Sequence, residues 1–186
     1  MRVIAGEARS LPLKAPNGEG TRPTTDRIKE TLFNIMAPYI PGSVFVDLFA
    51  GSGAVGIEAI SRGARHAYFV ENGREPVACI TDNLKFTKFE DRATFIKQDV
   101  YLALYNIHEK EADIIFLDPP YNMGHDEKVL SILKDMPYVT DNTLIVMEGS
   151  LETDYSFVSQ YGFRIKKQKL YKTNQHVFIE RSEVSE

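Results

Sequence analysis

Val44-Phe45-Val46-Asp47-Leu48-Phe49-Ala50-Gly51-Ser52-Gly53-Ala54-Val55-Gly56 reads as a short β-rich strand that runs into a glycine loop and then a helix. The pattern that follows alternates. Strands are expected at Ala67–Val70, Ala93–Ile96, Ala112–Leu117 and Thr143–Met147, and helices at Ala54–Ser61, Glu75–Phe89, Tyr101–Ile107 and Glu127–Met136. Strands alternating with helices imply a parallel sheet covered on both faces. The segment Ala112–Leu117 is almost wholly apolar, as a strand buried on both faces should be. Phe163–Leu170 and Gln175–Arg181 read instead as two strands joined by a turn near Thr173 and Asn174, which puts an antiparallel element at one edge. Before the alternation, residues 2–14 form a small hairpin or a loose arm. A turn-rich stretch follows, and then an amphipathic helix that begins at Asp26 and is closed by Pro38 and Pro41. The expected organisation is a single domain over residues 1–186, with an arm and helix over 1–41 and the β/α core over 42–182.

In an open sheet of this kind ligands bind beyond the carboxyl ends of the strands. Gly51, Gly53 and Gly56 match G-x-G-x-x-G there, and Glu71 follows Gly51 by twenty residues at the end of the next strand. A carboxylate in that place accepts both hydroxyls of a ribose. The site is therefore one for a nucleoside cofactor, and the glycines alone leave its identity open. A dinucleotide would put its pyrophosphate on the helix N-terminus. S-adenosylmethionine has no phosphate, and its cationic amino-acid end favours a nearby acid. Asp47 supplies that acid and would repel a pyrophosphate.

The fourth strand ends in Asp118-Pro119-Pro120-Tyr121. Two prolines after a buried strand fix a rigid, extended turn; neither donates a backbone hydrogen bond, and their carbonyls are expected to be free to point at a ligand. A carboxylate, free carbonyls and a flat aromatic ring together suit a planar ring that carries an exocyclic amine. Hydrogen bonds from the amine to Asp118 and the Pro119 carbonyl would aim its lone pair at a methyl group. Tyr121 would stack on the base and offset part of the cost of unstacking it.

The chain has 186 residues, 43% hydrophobic and 26% charged, which excludes a disordered chain. One cysteine, Cys79, excludes an intramolecular disulfide and a thiolate metal cluster. No apolar run reaches the length of a membrane span, and Met1–Pro16 lacks the apolar stretch of a secretory signal. A cytoplasmic protein away from membranes is expected. The net charge of −4 is unevenly spread: residues 164–172 carry +5, residues 1–30 carry +2, and residues 108–154 carry −8. An acidic middle with basic ends argues for few contacts to phosphates.

Asp47 to Gly56 resembles motif I of the class I methyltransferases, and Asp118 to Tyr121 resembles the amine-methylating D/N-P-P-Y/F motif. With Arg22-Pro23-Thr24-Thr25-Asp26-Arg27-Ile28-Lys29-Glu30-Thr31-Leu32-Phe33-Asn34, nearly the whole chain is similar to the RsmD family of bacterial small-subunit ribosomal RNA methyltransferases. The resemblance implies a Rossmann-like α/β fold with a mostly parallel seven-stranded sheet and an antiparallel edge strand. It implies S-adenosylmethionine as cofactor and methylation of the exocyclic N-2 amine of a guanine in 16S rRNA, guanine 966 in the usual rRNA numbering. The substrate is expected inside a small-subunit assembly particle. By the same resemblance Asp118, Pro119, Pro120 and Tyr121 are catalytic. Asp47, Phe49, Gly51, Ser52, Gly53, Gly56, Glu71, Asp99 and Val100 bind the cofactor, with Asp99 on the adenine amine. Arg9, Arg22, Pro23, Thr24 and Tyr121 bind the substrate, and Lys166, Lys167 and Lys169 are further RNA contacts. The family usually carries a basic residue and a glycine where this chain has Glu7 and Ala8.

A nicotinamide-dependent oxidoreductase satisfies the glycine pattern but leaves Asp47 and the D-P-P-Y turn without a purpose. Amine methyltransferases that act on DNA adenine or protein glutamine share the tetrapeptide. A non-catalytic nucleic-acid-binding module would have no use for the intact acids. Cys79 reads as a packing residue. His66, His108, His125 and His176 have no metal-ligand spacing, so no metal is expected; His125 has the position to line the substrate mouth. Glu148, at the end of the fifth strand, reads as a solvated strand end.

Overall fold

The structure, a computed structural model, describes residues 1–16, 26–121 and 123–183. Its centre is a sheet of seven strands: β1 (Val44–Leu48), β2 (His66–Val70), β3 (Ala93–Ile96), β4 (Ile114–Leu117), β5 (Leu144–Ser150), β6 (Phe163–Leu170) and β7 (Asn174–Arg181). They lie in the order β3-β2-β1-β4-β5-β7-β6. The first five are parallel, and the order reverses at β1, between β2 and β4. β7 runs antiparallel to both β5 and β6, so the edge is antiparallel as expected, with β6 outermost. The helices are α1 (Asp26–Met36), α2 (Ala54–Ser61), α3 (Arg74–Thr87), α4 (Val100–Ala103) and α5 (His125–Leu133). The helix expected over Tyr101–Ile107 is shorter: α4 tightens into a 3-10 turn over Leu104–Asn106.

Side chains of a strand alternate between faces, and the two cores follow that alternation. Val44, Val46 and Leu48 of β1 join Ile115, Leu117, Ile145, Met147, Val177 and Ile179 under α4 and α5. Phe45 joins Phe69, Phe116, Val146 and Phe178 under α1, α2, α3 and the N-terminal arm. On this second face each central strand changes character at its carboxyl end. Phe45 is followed two residues on by Asp47, Phe116 by Asp118, and Val146 by Glu148. Because β7 runs the other way, its first residues reach the same edge: His176 pairs with Glu148 and Asn174 with Ser150.

A buried carboxylate is the centre of the contacts that hold the arm. Glu58 on α2 accepts the backbone N–H groups of Ile4 at 2.8 Å and Ala5 at 3.0 Å. It also pairs with Arg62 at 2.7 Å and with Lys29 of α1 at 3.3 Å. Lys29 donates to the Arg2 carbonyl at 2.6 Å; its burial pushes its pKa down, against the pull of Glu58. The two positions that depart from the family pattern are used locally. The Ala8 N–H donates to Ser61 Oγ and its side chain is buried, while Glu7 pairs with Arg92.

Removing one member of a buried ionic cluster leaves the others uncompensated, at about 3–5 kcal/mol. Glu58→Ala should lose stability on that scale in urea denaturation and release the arm to proteolysis. Wild-type stability and an arm that stays protected would show that Glu58 does not hold it.

Candidate active site

The glycine loop is shaped by backbone conformations that few residues tolerate. Gly51 and Gly53 have φ of 56° and 76°, the left-handed region open to glycine. Phe49 occupies the same region at 62°, a conformation of the kind found where a structure overrides local preference. Gly56 serves close packing: a Cβ there would meet Phe69 Cε1 at 2.4 Å. Its N–H donates to Asp47 Oδ2 at 2.9 Å.

A cavity of about 670 Å³ opens over the carboxyl ends of β1, β2 and β4, large enough for a small-molecule ligand. Asp47, Phe49, Gly51, Ser52, Glu71, Asp99 and Val100 line it, as do Asp118, Pro119, Pro120 and Tyr121. Eleven of the residues expected at a site are thus brought together. Gly53 and Gly56 are not on its wall; they form the turn and its packing. Arg9 lies on the arm, away from the cavity wall, and exposed. Arg22, Pro23 and Thr24 lie outside the described residues.

Each acid is held in a distinct way. Glu71 accepts from the N–H groups of Gly51 at 3.0 Å, Asn72 at 2.9 Å and Gly73 at 2.8 Å, which ties the end of β2 to the glycine loop. Asp99 caps α4 by accepting the Tyr101 N–H at 2.9 Å with Oδ1. Asp47 is 2% exposed, and burial raises its pKa to about 7, with Glu71 adding to the rise and the Gly56 N–H opposing it. Burial also pushes Asp118 well above the ordinary carboxylate range, and the negative charges of Glu148, Asp47 and Asp126 push the same way. Such a wall attracts a cation and repels phosphate.

Two residues given minor roles from the sequence belong to this wall. Glu148 is not a solvated strand end: it is 5% exposed, because antiparallel β7 lies beside it. It accepts from His176 Nε2 at 2.8 Å, Asn174 Nδ2 at 2.8 Å and the Tyr121 hydroxyl at 3.2 Å. His176, fully buried, meets the Tyr171 hydroxyl at its other ring nitrogen, 3.1 Å away. Sequence reading missed this group because its partners lie 26 to 28 residues apart, a separation that only strand register brings together. His125 lines the mouth as its position suggested, 2.6 Å from the Tyr101 hydroxyl and edge-on to Phe49. Cys79 is half-buried and in no disulfide. Among the described residues no group of three His, Cys, Asp or Glu side chains is placed to hold a metal ion, and no helix is long and apolar enough to cross a membrane.

The family model described as "Conserved hypothetical protein 95" matches residues 1–180. Ribosomal RNA small subunit methyltransferase D of Haemophilus influenzae is 36% identical over 171 residues, 91% of this chain and 88% of that protein. The protein of the same name from Escherichia coli K12 is 37% identical over 154 residues, 82% of this chain and 76% of that one. The solved structure of a hypothetical protein from Thermus thermophilus superposes with a TM-score of 0.82 and 27% identity, over 97% of this chain and 99% of that chain.

A carboxyl group whose pKa is raised by folding is destabilising once it must ionise. Asp47 therefore costs stability as pH rises from the unfolded value toward 7, and none below both values. Asp47→Asn should stabilise the ligand-free protein at pH 8 by on the order of 2–4 kcal/mol and much less near pH 4. Melting curves of both proteins across that range check it; a constant gap would contradict the buried-acid reading.

Proposed function

From the premise that this chain belongs to the RsmD family, with the class I methyltransferase fold, we propose that it transfers the methyl group of S-adenosylmethionine to the N-2 amine of a guanine in 16S rRNA, the equivalent of guanine 966. The observation that supports the reading best is the convergence of Asp47, Glu71, Asp99 and the D-P-P-Y turn on one cavity.

The donor set suits this cofactor. Asp47 answers the cationic amino-acid end, Glu71 retains one acceptor position, on Oε2, for a ribose hydroxyl, and the second oxygen of Asp99 remains for the adenine amine. When bound, the cofactor supplies an electrophilic methyl on a positively charged sulfur. The chain's task is then to present the amine. Asp118 and the Pro119 carbonyl accept hydrogen bonds from its two N–H groups and turn its lone pair toward the methyl. Transfer of that methyl would leave the C–S electron pair on sulfur and leave the chain an amine proton to remove. The Asp118 carboxylate is placed to take it. Positioning of this kind supplies up to roughly 7–11 kcal/mol of rate acceleration. Tyr121, 38% exposed at the rim, presents its ring to the flipped base.

The RNA is held by exposed positive charge outside the acidic cavity. Arg9 on the arm and the basic strand β6 are the candidates. Arg164 and Lys166 are already paired with Glu180, whereas among the described residues Lys167 and Lys169 form no ion pair. The substrate is a small-subunit assembly particle in the cytoplasm, whose folded shape makes up for the few phosphate contacts.

Cofactor affinity should fall as pH drops through 7, because Asp47 must lose its proton to receive a cation: about tenfold between pH 7.5 and pH 6 by calorimetry, with the slope absent in Asp47→Asn. Glu71→Ala should weaken binding about 10- to 100-fold; unchanged affinity would misplace the cofactor.

Asp118→Ala should slow single-turnover methyl transfer far more than it weakens cofactor binding. Labelled methyl groups should enter small-subunit rRNA but neither genomic DNA nor a glutamine-bearing protein. A product other than N-2-methylguanine would reject the substrate assignment. Arg9→Glu with Lys167→Glu and Lys169→Glu should sharply lower rRNA methylation at unchanged cofactor affinity.

A further inference from the structure

Among the described residues, three donors of the wall beside Asp118 are committed to Glu148: the His176 ring N–H, the Asn174 amide and the Tyr121 hydroxyl. A carboxylate offers about four acceptor positions. Two on Oε1 and one on Oε2 are taken, which leaves one on Oε2. Asn174 Oδ1, on a residue 5% exposed, has no hydrogen-bond partner. Both residues line the cavity with Asp118 and Pro119. Tyr121 joins the groups directly, since it belongs to the D-P-P-Y turn and bonds Glu148.

We propose that Glu148, oriented by His176 and Asn174, is a specificity-determining residue that accepts the ring N–H adjacent to the target amine. The inference rests on the guanine-amine reading above. Guanine presents an amine and a neighbouring ring N–H, two donors side by side, and meets a wall made of acceptors. Adenine and cytosine present an amine beside a ring nitrogen lone pair. A lone pair facing Glu148 would meet a carboxylate oxygen with no proton between them. A buried polar group left unpaired rejects the wrong ligand more strongly than a missing apolar contact does. Asn174 serves as a positioning residue: its amide N–H fixes Oε1, and its open Oδ1 extends the acceptor surface. His176 keeps Oε2 turned so that one lone pair is engaged and the other is not.

Glu148→Gln tests this with little change of shape. A glutamine oxygen still accepts from Asn174 and Tyr121, and its NH₂ replaces a lone pair with a donor. The probes are small-subunit particles reconstituted from rRNA that carries either guanine or 2-aminopurine at the methylated position. 2-Aminopurine keeps the amine but presents a ring lone pair where guanine has its N–H. The wild-type protein should prefer guanine by about 10- to 100-fold in kcat/KM, the scale of one hydrogen bond to a charged acceptor. In Glu148→Gln that preference should fall to about threefold or invert, with cofactor affinity unchanged by calorimetry. The wild-type comparison needs no variant to fold. Equal methylation of both particles by the wild type would overturn the proposal, and so would an undiminished preference in a folded Glu148→Gln protein. In both cases N-2-methylguanine as product leaves the broader functional reading intact. If the wild type puts no methyl on that guanine, the broader reading fails and takes this proposal with it.

Discussion

The cost of burying carboxylates at the carboxyl edge of the sheet governs the rest of this structure. Asp47, Asp118 and Glu148 sit on one face of three neighbouring parallel strands, each two residues beyond a large apolar side chain that fills the core below. Apolar burial fixes the alternation, and the alternation then forces the acids onto the same side. They cannot move apart without exposing Phe45, Phe116 or Val146, so their mutual repulsion is retained. Burial raises both Asp47 and Asp118, and the charges of Glu148 and Asp47 add to the rise at Asp118. A site strained in this way gains when a cation enters it, which links the stability of the empty protein to its appetite for a positively charged ligand.

The neutral donors are distributed to match. Asp47 has the Gly56 N–H, Glu71 has three backbone N–H groups, and Glu148 has a ring, an amide and a phenol. Asp118 is less buried than Asp47 and Glu148 and lines the same cavity. Among the described residues no donor is bonded to its carboxylate, and its position is set by the two prolines and by β4. The reversal of β7 is what allows this division. Were β7 parallel to β5, Arg181 and Glu180 would end at this edge, and His176 and Asn174 would lie at the opposite one.

Much of this was readable from residues alone, and the unread part has a definite cause. Local signals placed the strands at Val44–Leu48, Ala93–Ile96 and Phe163–Leu170 with the bounds the structure shows. The glycine loop and the D-P-P-Y turn announced themselves because their chemistry is contiguous in the chain. Glu148 did not. A glutamate at a strand end is usually solvated, and its burial depends on a neighbour that arrives from the far side of a hairpin. His176 looked like an isolated histidine because its partner precedes it by 28 residues. The structural use of Glu71 was equally hidden, since a carboxylate twenty residues past a glycine gives no hint that it accepts the loop's own N–H.

The same distinction between chain and register recasts the basic stretch at residues 164–172. In the chain it is a run of five positive charges. In the structure residues 164–170, with four of those charges, lie on the outermost strand, which bulges between Ile165 and Lys167, and each of them is exposed. An open strand edge is a template for pairing with another chain, and lysines together with a bulge are the usual protection against it. Arg164 and Lys166 reach across to Glu180 on β7 and hold the hairpin closed. The charges that are paired and those that are not are therefore different residues of one strand. The paired ones confine the strand, while Lys167 and Lys169 project from it without an acid to quench them among the described residues. A protein that is acidic overall, with its acids gathered at a cavity, can present such a strip to RNA without drawing phosphates into the site itself.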